Sequence, residues 1–351
     1  MSHLLTGLIA CPDIQTAIDN NFLNCDPTKL QEYTPLVQFL KSSTNTNNIL
    51  SSTVSPGRGK LRNLNIVYTP RVRETEVRSD TTTVCTSTNE SGMISESYSL
   101  DPAVGVSIDE TFIAADLRAI CKDNQTYLTE RMQAMMDGAR RKLETKLTTD
   151  AIALIGAFAA GETEVVNNIK TVRTKYSDGK PDTNMLEEVD FATMNANYCS
   201  QPYIFGYDET YKYYKRMEVG CCADSGLDLG RALQKFGKIF MPSNRIPTAF
   251  GNSTDFLTVS AGALQLITYN AYEGAEFINT TSSGDHQEIK IQDPMVPGLF
   301  WDMLINRPCG GNLTIQFKVA YKLVGMPDDM FSVGDRYRGV TGVNRFRITN
   351  P

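Results

Sequence analysis

The sequence predicts an α+β fold, and three stretches carry that expectation. Apolar or small residues at Leu128, Met132, Met135, Ala139, Leu143, Leu147, Ala151, Leu154 and Phe158 recur every third or fourth position, which makes one continuous helical face. Leu313, Ile315, Phe317, Val319, Tyr321 and Leu323 alternate with Thr314, Gln316, Lys318, Ala320, Lys322 and Val324, the period of a long strand with one buried face. Between them, residues 162–284 switch repeatedly between short strand and short helix patterns, with Pro242, Pro247 and several glycines at the turns. The chain has 351 residues, 41% of them hydrophobic and 21% charged, so it can bury a substantial core and is not disordered throughout.

Taken in order, residues 1–57 read as an N-terminal arm. Short apolar clusters are interrupted by a polar run from Ser42 to Asn48, and Ser55-Pro56-Gly57 closes the segment. Residues 58–108 read as a projecting two-stranded ribbon. Its strands are Leu64–Thr69 and Ile94–Leu100, where Ile94, Tyr98 and Leu100 alternate with three serines, and Ser79–Gly92 supplies a polar tip. A lone two-stranded ribbon is marginal in water, so the ribbon and the arm are expected to find their apolar cover on other copies of the chain.

Residues 109–161 hold the rod helix, whose apolar face spans about 46 Å at 1.5 Å per residue. Gly138 and Gly156 mark places for a bend and Gly161 a stop, while Asp137/Arg141, Arg140/Glu144 and Lys146/Asp150 are expected to pair along the exposed side. In the 162–284 block, Asp190–Asn197 and Asp208–Met217 look helical. Lys238–Met241, Phe256–Ser260 and Ala263–Tyr269 look like strands. Residues 285–333 return as strands whose buried face suits the rod, and 334–351 form a C-terminal segment.

Composition narrows the chemistry. With 34 basic and 40 acidic side chains the net charge is −6, which argues against non-specific nucleic-acid binding over the whole surface. The longest apolar runs, such as 151–160, are far short of the roughly 20 residues that span a bilayer, and no secretory signal pattern opens the chain, so a soluble, unexported chain with no membrane partner is expected. Five N-x-S/T sequons, at Asn89, Asn124, Asn252, Asn279 and Asn312, read as chance.

Two histidines, His3 and His286, and eight cysteines without a C-x-x-C pair leave little material for a metal site. No Walker loop, G-x-G-x-x-G, G-x-S-x-G or H-E-x-x-H pattern occurs, so no catalytic residue, cofactor or metal ligand is assigned and no enzyme activity is expected. The vicinal Cys221-Cys222, the lone Trp301 and the pair Asp328-Asp329 read as buried thiols, core and a solvated turn.

The arginines stand apart. Residues 58–78 hold Arg58, Lys60, Arg62, Arg71, Arg73 and Arg78 against Glu74 and Glu76, a local basic excess in an acidic chain. Arginine pairs bidentately with carboxylates on another surface, so these six are candidates for contact between subunits. Arg336, Arg338, Arg345 and Arg347 against Asp335 give the tail a similar character, facing a partner or enclosed nucleic acid, and Arg336 and Arg338 join the candidates.

This order of arm, long loop, rod helix, compact α+β block and returning strand resembles the Hong Kong 97-like fold of tailed-phage major capsid proteins. Three segments carry the resemblance: Tyr127–Phe158, Phe256–Leu264 and Asp328–Val343. It implies an N-arm over 1–57, an E-loop over 58–108, a P-domain spine helix over 109–161, an A-domain over 162–284, returning P-domain strands over 285–333 and a C-terminal segment over 334–351. It further implies a homo-oligomer of pentamers and hexamers in an icosahedral shell around double-stranded DNA, assembled in the host bacterial cytoplasm. The other virion partners implied are a portal, a separate scaffolding protein or none, and optionally a decoration protein. The charged helical extension that precedes the arm in some relatives has no counterpart, and no residues match the Lys and Asn that cross-link others. Rival readings are a bacterial nanocompartment shell of the same fold, a soluble α+β enzyme and a tail-tube protein.

Overall fold

The computed structural model describes residues 34–42, 49–55, 62–68, 94–101, 104–113, 125–159, 162–173, 184–195, 202–213, 239–269, 286–306, 312–325 and 339–349. In chain order they form α1 (Pro35–Lys41), β1 (Ile49–Ser55), β2 (Arg62–Tyr68), β3 (Ile94–Leu100), β4 (Gly105–Phe112), α2 (Gln125–Ala153), β5 (Val165–Val166), β6 (Ile169–Arg173), α3 (Asn184–Asn195), β7 (Pro202–Gly206), β8 (Ile239–Pro242), α4 (Arg245–Phe250), β9 (Asp255–Ser260), β10 (Leu264–Tyr269), β11 (His286–Gln292), β12 (Phe300–Asn306), β13 (Leu313–Gly325) and β14 (Val343–Thr349). The α+β class follows from this mixture of helices and three sheets.

The rod and the returning strand meet as their apolar faces require. Met132, Met135, Met136, Ala139, Leu143, Leu147 and Ala151 of α2 share one core with Leu313, Ile315, Phe317, Val319, Tyr321 and Leu323 of β13. Around β13 the sheet is completed by β4, β10 and β12, with β11 beyond β12, and every pairing is antiparallel. Helix and sheet together make a wall.

The second half of β13 departs from one-sided burial. Ala320 and Val324 are buried as well, in a separate cluster with Leu64, Ile66, Leu100, Ala159, Tyr269 and Val340. The reason is the ribbon, whose β2 and β3 lay these side chains on the other face of the wall. Two expectations are corrected here. Residues 49–55, read as arm, form a third ribbon strand paired antiparallel to β2, which gives the three strands that a stable sheet needs. Several apolar residues of the described arm and ribbon are also covered within their own chain: Leu36, Val37 and Phe39 join the main core, and Leu64, Ile66 and Leu100 the ribbon core, whereas Val104 is 51% exposed. The tip, residues 69–93, lies outside the described residues.

The rod ends earlier than its periodicity predicts. Leu154 and Ile155 donate to the carbonyls of Ala151 and Ile152, a tightened last turn, and the chain then leaves the helix axis. Gly156 N–H donates to Val343 O at 3.0 Å and Ala157 N–H to Gly339 O at 2.7 Å, which stitches the helix exit to the approach of β14. A Cβ at Gly156 would stand 2.5 Å from Thr341 Oγ1 and 2.6 Å from Gly339 O, so only glycine fits. Gly138, by contrast, sits inside the unbroken helix.

The block is a six-stranded sheet in the order β5-β6-β14-β9-β7-β8. Strands β7 and β9 are buried at every position, the signature of a sheet covered on both faces. On one face α3 packs Met185, Leu186, Val189 and Ala192 against Val172, Ile204, Phe256, Phe346 and Ile348. On the other, Tyr203, Phe205, Leu257, Val259 and Val343 enter the main core, where Phe39 of α1 meets Tyr203 and Phe205 with ring centroids 4.3 and 5.6 Å apart. The C-terminal strand β14 is an inner strand, parallel to β6 and antiparallel to β9. Helix α3 begins six residues before its predicted start, because its buried stripe opens at Met185.

Candidate assembly interface

Of the eight candidate contact residues, Arg58, Lys60, Arg71, Arg73, Arg78, Arg336 and Arg338 lie outside the described residues. Arg62 opens β2, paired with Leu100 at the root of the ribbon, and its side chain is likewise outside them. Cys221-Cys222 and Asp328-Asp329 also fall outside.

The two tail arginines that are described make their bonds within the chain. Arg345 and Arg347 flank Phe346 on β14 and converge on the buried Asp255 of β9, which pairs with Arg347 across the strands. Arg345 Nε donates to Oδ2 at 2.8 Å, and its Nη2 bonds the same oxygen. Arg347 donates from Nε to Oδ1 at 2.6 Å and from Nη2 to Oδ2 at 3.0 Å. The Arg345 guanidinium also lies 3.9 Å over the Phe250 ring, and the bond to Asp255 holds the Arg347 guanidinium above its ordinary range. These arginines tie β14 to β9.

The rod's charges are a second correction. Asp137 and Arg141 do pair, at 3.5 Å, but Arg140 and Glu144 are both buried and do not cover an exposed side. Glu144 turns toward α1, where Leu36 N–H donates to Oε1 at 3.0 Å and Val37 N–H to Oε2 at 2.9 Å. Arg140 reaches Asp293, in the turn before β12: Nε donates to Oδ2 at 3.1 Å, and Trp301 Nε1 donates to the same oxygen at 2.9 Å. Trp301 is core, as expected, with its one polar atom satisfied. A third buried node joins Lys170 to Glu162 and, at 2.8 Å, to Glu188, while Asn195 Nδ2 donates to Glu162 at 2.8 Å.

Each node pairs buried charge with opposite charge or backbone donors and connects elements far apart in sequence, so each works as a structural tie. No signal along the chain marks them, because their partners are brought together by the fold. Among the described residues no group of three or more His, Cys, Asp or Glu side chains is placed to hold a metal ion, and no helix is long and apolar enough to cross a membrane.

Among the described residues, five of the eight large exposed apolar side chains lie on the block, the others being Val104, Ile113 and Phe300. Phe191 and Met194 of α3 are 56% and 73% exposed and stand one turn apart, and Val166 at the β5 edge is 68% exposed. At the opposite edge the exposed Tyr207 and Tyr211 stack with centroids 6.4 Å apart, and Tyr211 lies 6.2 Å from Phe240 of β8. Large apolar groups grouped in this way mark surfaces that become covered.

No protein-family model matches the chain, and no curated protein does. Among solved structures, the chain is similar to the cyanophage A-1(L) capsid asymmetric unit, with 12% identity and a TM-score of 0.49 over 92% of this chain and 94% of that one. The capsid of cyanophage P-SCSP1u gives 10% identity and a TM-score of 0.43 over 95% and 94%. The capsid of Myoviridae phage XM1 gives 13% identity and a TM-score of 0.38 over 94% and 98%.

Proposed function

We propose that this chain is the major capsid protein of a tailed double-stranded DNA bacteriophage, a structural protein that self-assembles into the icosahedral head. On this reading the fold is Hong Kong 97-like: α2 is the spine helix, β4 and β10–β13 with it are the P-domain, the ribbon is the E-loop and the six-stranded block is the A-domain. The boundary at 161 goes with that assignment, whereas β1 joins the ribbon before 57, β4 runs across 108, β10 joins the P-domain sheet before 284 and β14 joins the block after 333. The subunit works by association and not by turnover, in the virion, with double-stranded DNA enclosed and portal, scaffold or decoration proteins as partners.

The observation that carries this reading is the order and placement of elements: one long helix on an antiparallel sheet, a ribbon rooted on the far face of that sheet, and a compact block sharing the wall's core. The reading draws no support from uncovered apolar residues in the arm, since those described are buried within the chain. It draws support from the exposed apolar groups of the block, which repeated contacts between copies would cover. The ribbon arginines 58, 62, 71, 73 and 78, with Lys60, are assigned to those contacts, as are Arg336 and Arg338.

Electron microscopy of the purified full chain tests the proposal. Closed shells are expected. Particles no larger than a dimer under several ionic conditions would overturn it, and open cylinders would reassign the chain to a tail tube.

A further inference from the structure

Helix α1 is a seven-residue element that lacks its own N-terminal cap. Thr34 makes no side-chain capping bond, and its buried Oγ1 has no partner. The free N–H groups of the first turn are satisfied from outside, by the Glu144 carboxylate of α2, one oxygen to each of Leu36 and Val37. At the other end Lys41 Nζ donates to Thr268 Oγ1 at 3.1 Å and to Leu266 O at 3.5 Å, both on β10. So short a helix has little stability of its own, and its position depends on these two anchors and on the apolar side chains between them. Both anchors are ionisable.

We propose that α1 is a reversible clasp whose hold on the body of the chain is set by the ionisation of Glu144 at one end and Lys41 at the other, and is weakest around neutral pH. The surroundings make the two groups the determining ones. Arg245 of α4 faces Glu144, and its guanidinium donates to Thr145 Oγ1 at 2.5 Å. On α2, Arg140 and Arg141 are held by Asp137 and Asp293, and Lys146 donates to Gly105 O at 2.6 Å. Strands β7 and β10, which also pack on α1, carry no carboxylate or basic side chain, their titratable groups being the phenols of Tyr203 and Tyr269.

The direction follows from proton linkage. With α1 seated, burial pushes the Glu144 carboxyl up to about 7, against the lowering by the Val37 and Leu36 N–H bonds and by Arg245, whereas a free carboxyl sits at 4.5. Seating therefore takes up a proton between those values, so the Glu144 contribution is complete in acid and is lost as pH rises through about 7. Lys41 runs the other way. Burial brings it down to about 8 from 10.5, so its contribution is complete in alkali and is lost as pH falls through about 8. Between the two both groups are charged and desolvated, and α1 lifts most readily there.

The inference is independent of the shell reading. Hydrogen–deuterium exchange of residues 34–42 in the full chain tests it, with rates divided by intrinsic rates and by those of β13 in the same sample. Protection should rise on the order of tenfold from about pH 7.5 to about pH 6, and by a similar factor from about pH 7.5 to about pH 9. Glu144→Gln keeps an acceptor oxygen and should abolish the acid limb alone, whereas Lys41→Met should abolish the alkaline limb alone. A flat wild-type profile overturns the proposal, as does a pair of limbs that survive both substitutions. Each variant tests one limb, so failure of either to fold leaves the other decisive.

Discussion

Arg140 Nε donates to Asp293 Oδ2 at 3.1 Å with both side chains withdrawn from solvent, and this contact pins the middle of the rod helix to the turn that precedes β12. Asp293 is fully used: Oδ1 accepts the N–H groups of Met295 and Val296, and Oδ2 accepts Trp301 Nε1 as well as the arginine. One carboxylate therefore shapes a turn, orients the only tryptophan and neutralises a buried guanidinium. Asp137 supplies a second acceptor to Arg140, at 3.1 Å.

Asp293→Ala should be among the most damaging single substitutions in the wall. It takes a buried carboxylate away from Arg140, strips Trp301 of its acceptor and frees two backbone donors, a class of change that costs roughly 3–5 kcal/mol. Asp293→Asn preserves shape and some of the hydrogen bonds and should cost less. Urea unfolding of both variants gives the comparison, and equal losses would show that the charge contributes nothing.

The two glycines of the rod segment should respond in opposite directions to alanine. A Cβ at Gly138 would find Ile108 Cδ1 at 3.6 Å, an ordinary contact, so Gly138→Ala should stabilise by roughly 0.5–1 kcal/mol through helix propensity. Gly156→Ala drives a methyl into the backbone of residues 339 and 341 and should cost more than about 2 kcal/mol. Thermal melts of the pair settle both signs.

The contrast between these glycines shows what periodicity reveals and what it hides. The stripe from Met132 to Ala151 and the alternation from Leu313 to Leu323 are local patterns, and each element forms where the pattern lies. The end of α2 is not local: it is fixed by carbonyls at Gly339 and Val343, nearly two hundred residues later. Arg140 and Glu144 look like an exposed i,i+4 pair because the spacing allows one, yet each is claimed by a tertiary partner. Ala320 and Val324 occupy the polar phase of β13, and their small or apolar nature is the one trace in the sequence that a second layer covers them. Strand β1 carries little apolar alternation, because Ser51, Ser52, Thr53 and Ser55 fill most of it, and its pairing with β2 is not a local pattern.

A ranking is expected at the β9–β14 tie. Asp255→Ala removes the acceptor of two arginines, although both are partly exposed and can turn to water, so the loss should be about 2–3 kcal/mol. Arg345→Ala should follow, since that guanidinium also covers the Phe250 ring. Arg347 is 37% exposed, and its loss should be within about 1 kcal/mol. Denaturant midpoints would reverse this order only if the stacking on Phe250 were inconsequential.

Phe191 and Met194 separate folding from association. Both side chains project from α3 into solvent, while the residues that hold the helix down, Met185, Leu186, Val189 and Ala192, lie on its other face. Met194→Ser should therefore change the stability of the isolated subunit by no more than about 0.5 kcal/mol, and Phe191→Ser, which also removes the ring beneath Lys170 Nζ, by about 1 kcal/mol. If copies of the chain cover this face, the same substitutions should lower the yield of assembled particles, read by sedimentation alongside the unfolding curve. Unchanged assembly would place the contact elsewhere on the block, and the aromatic edge of Tyr207 and Tyr211 would be the next surface to alter.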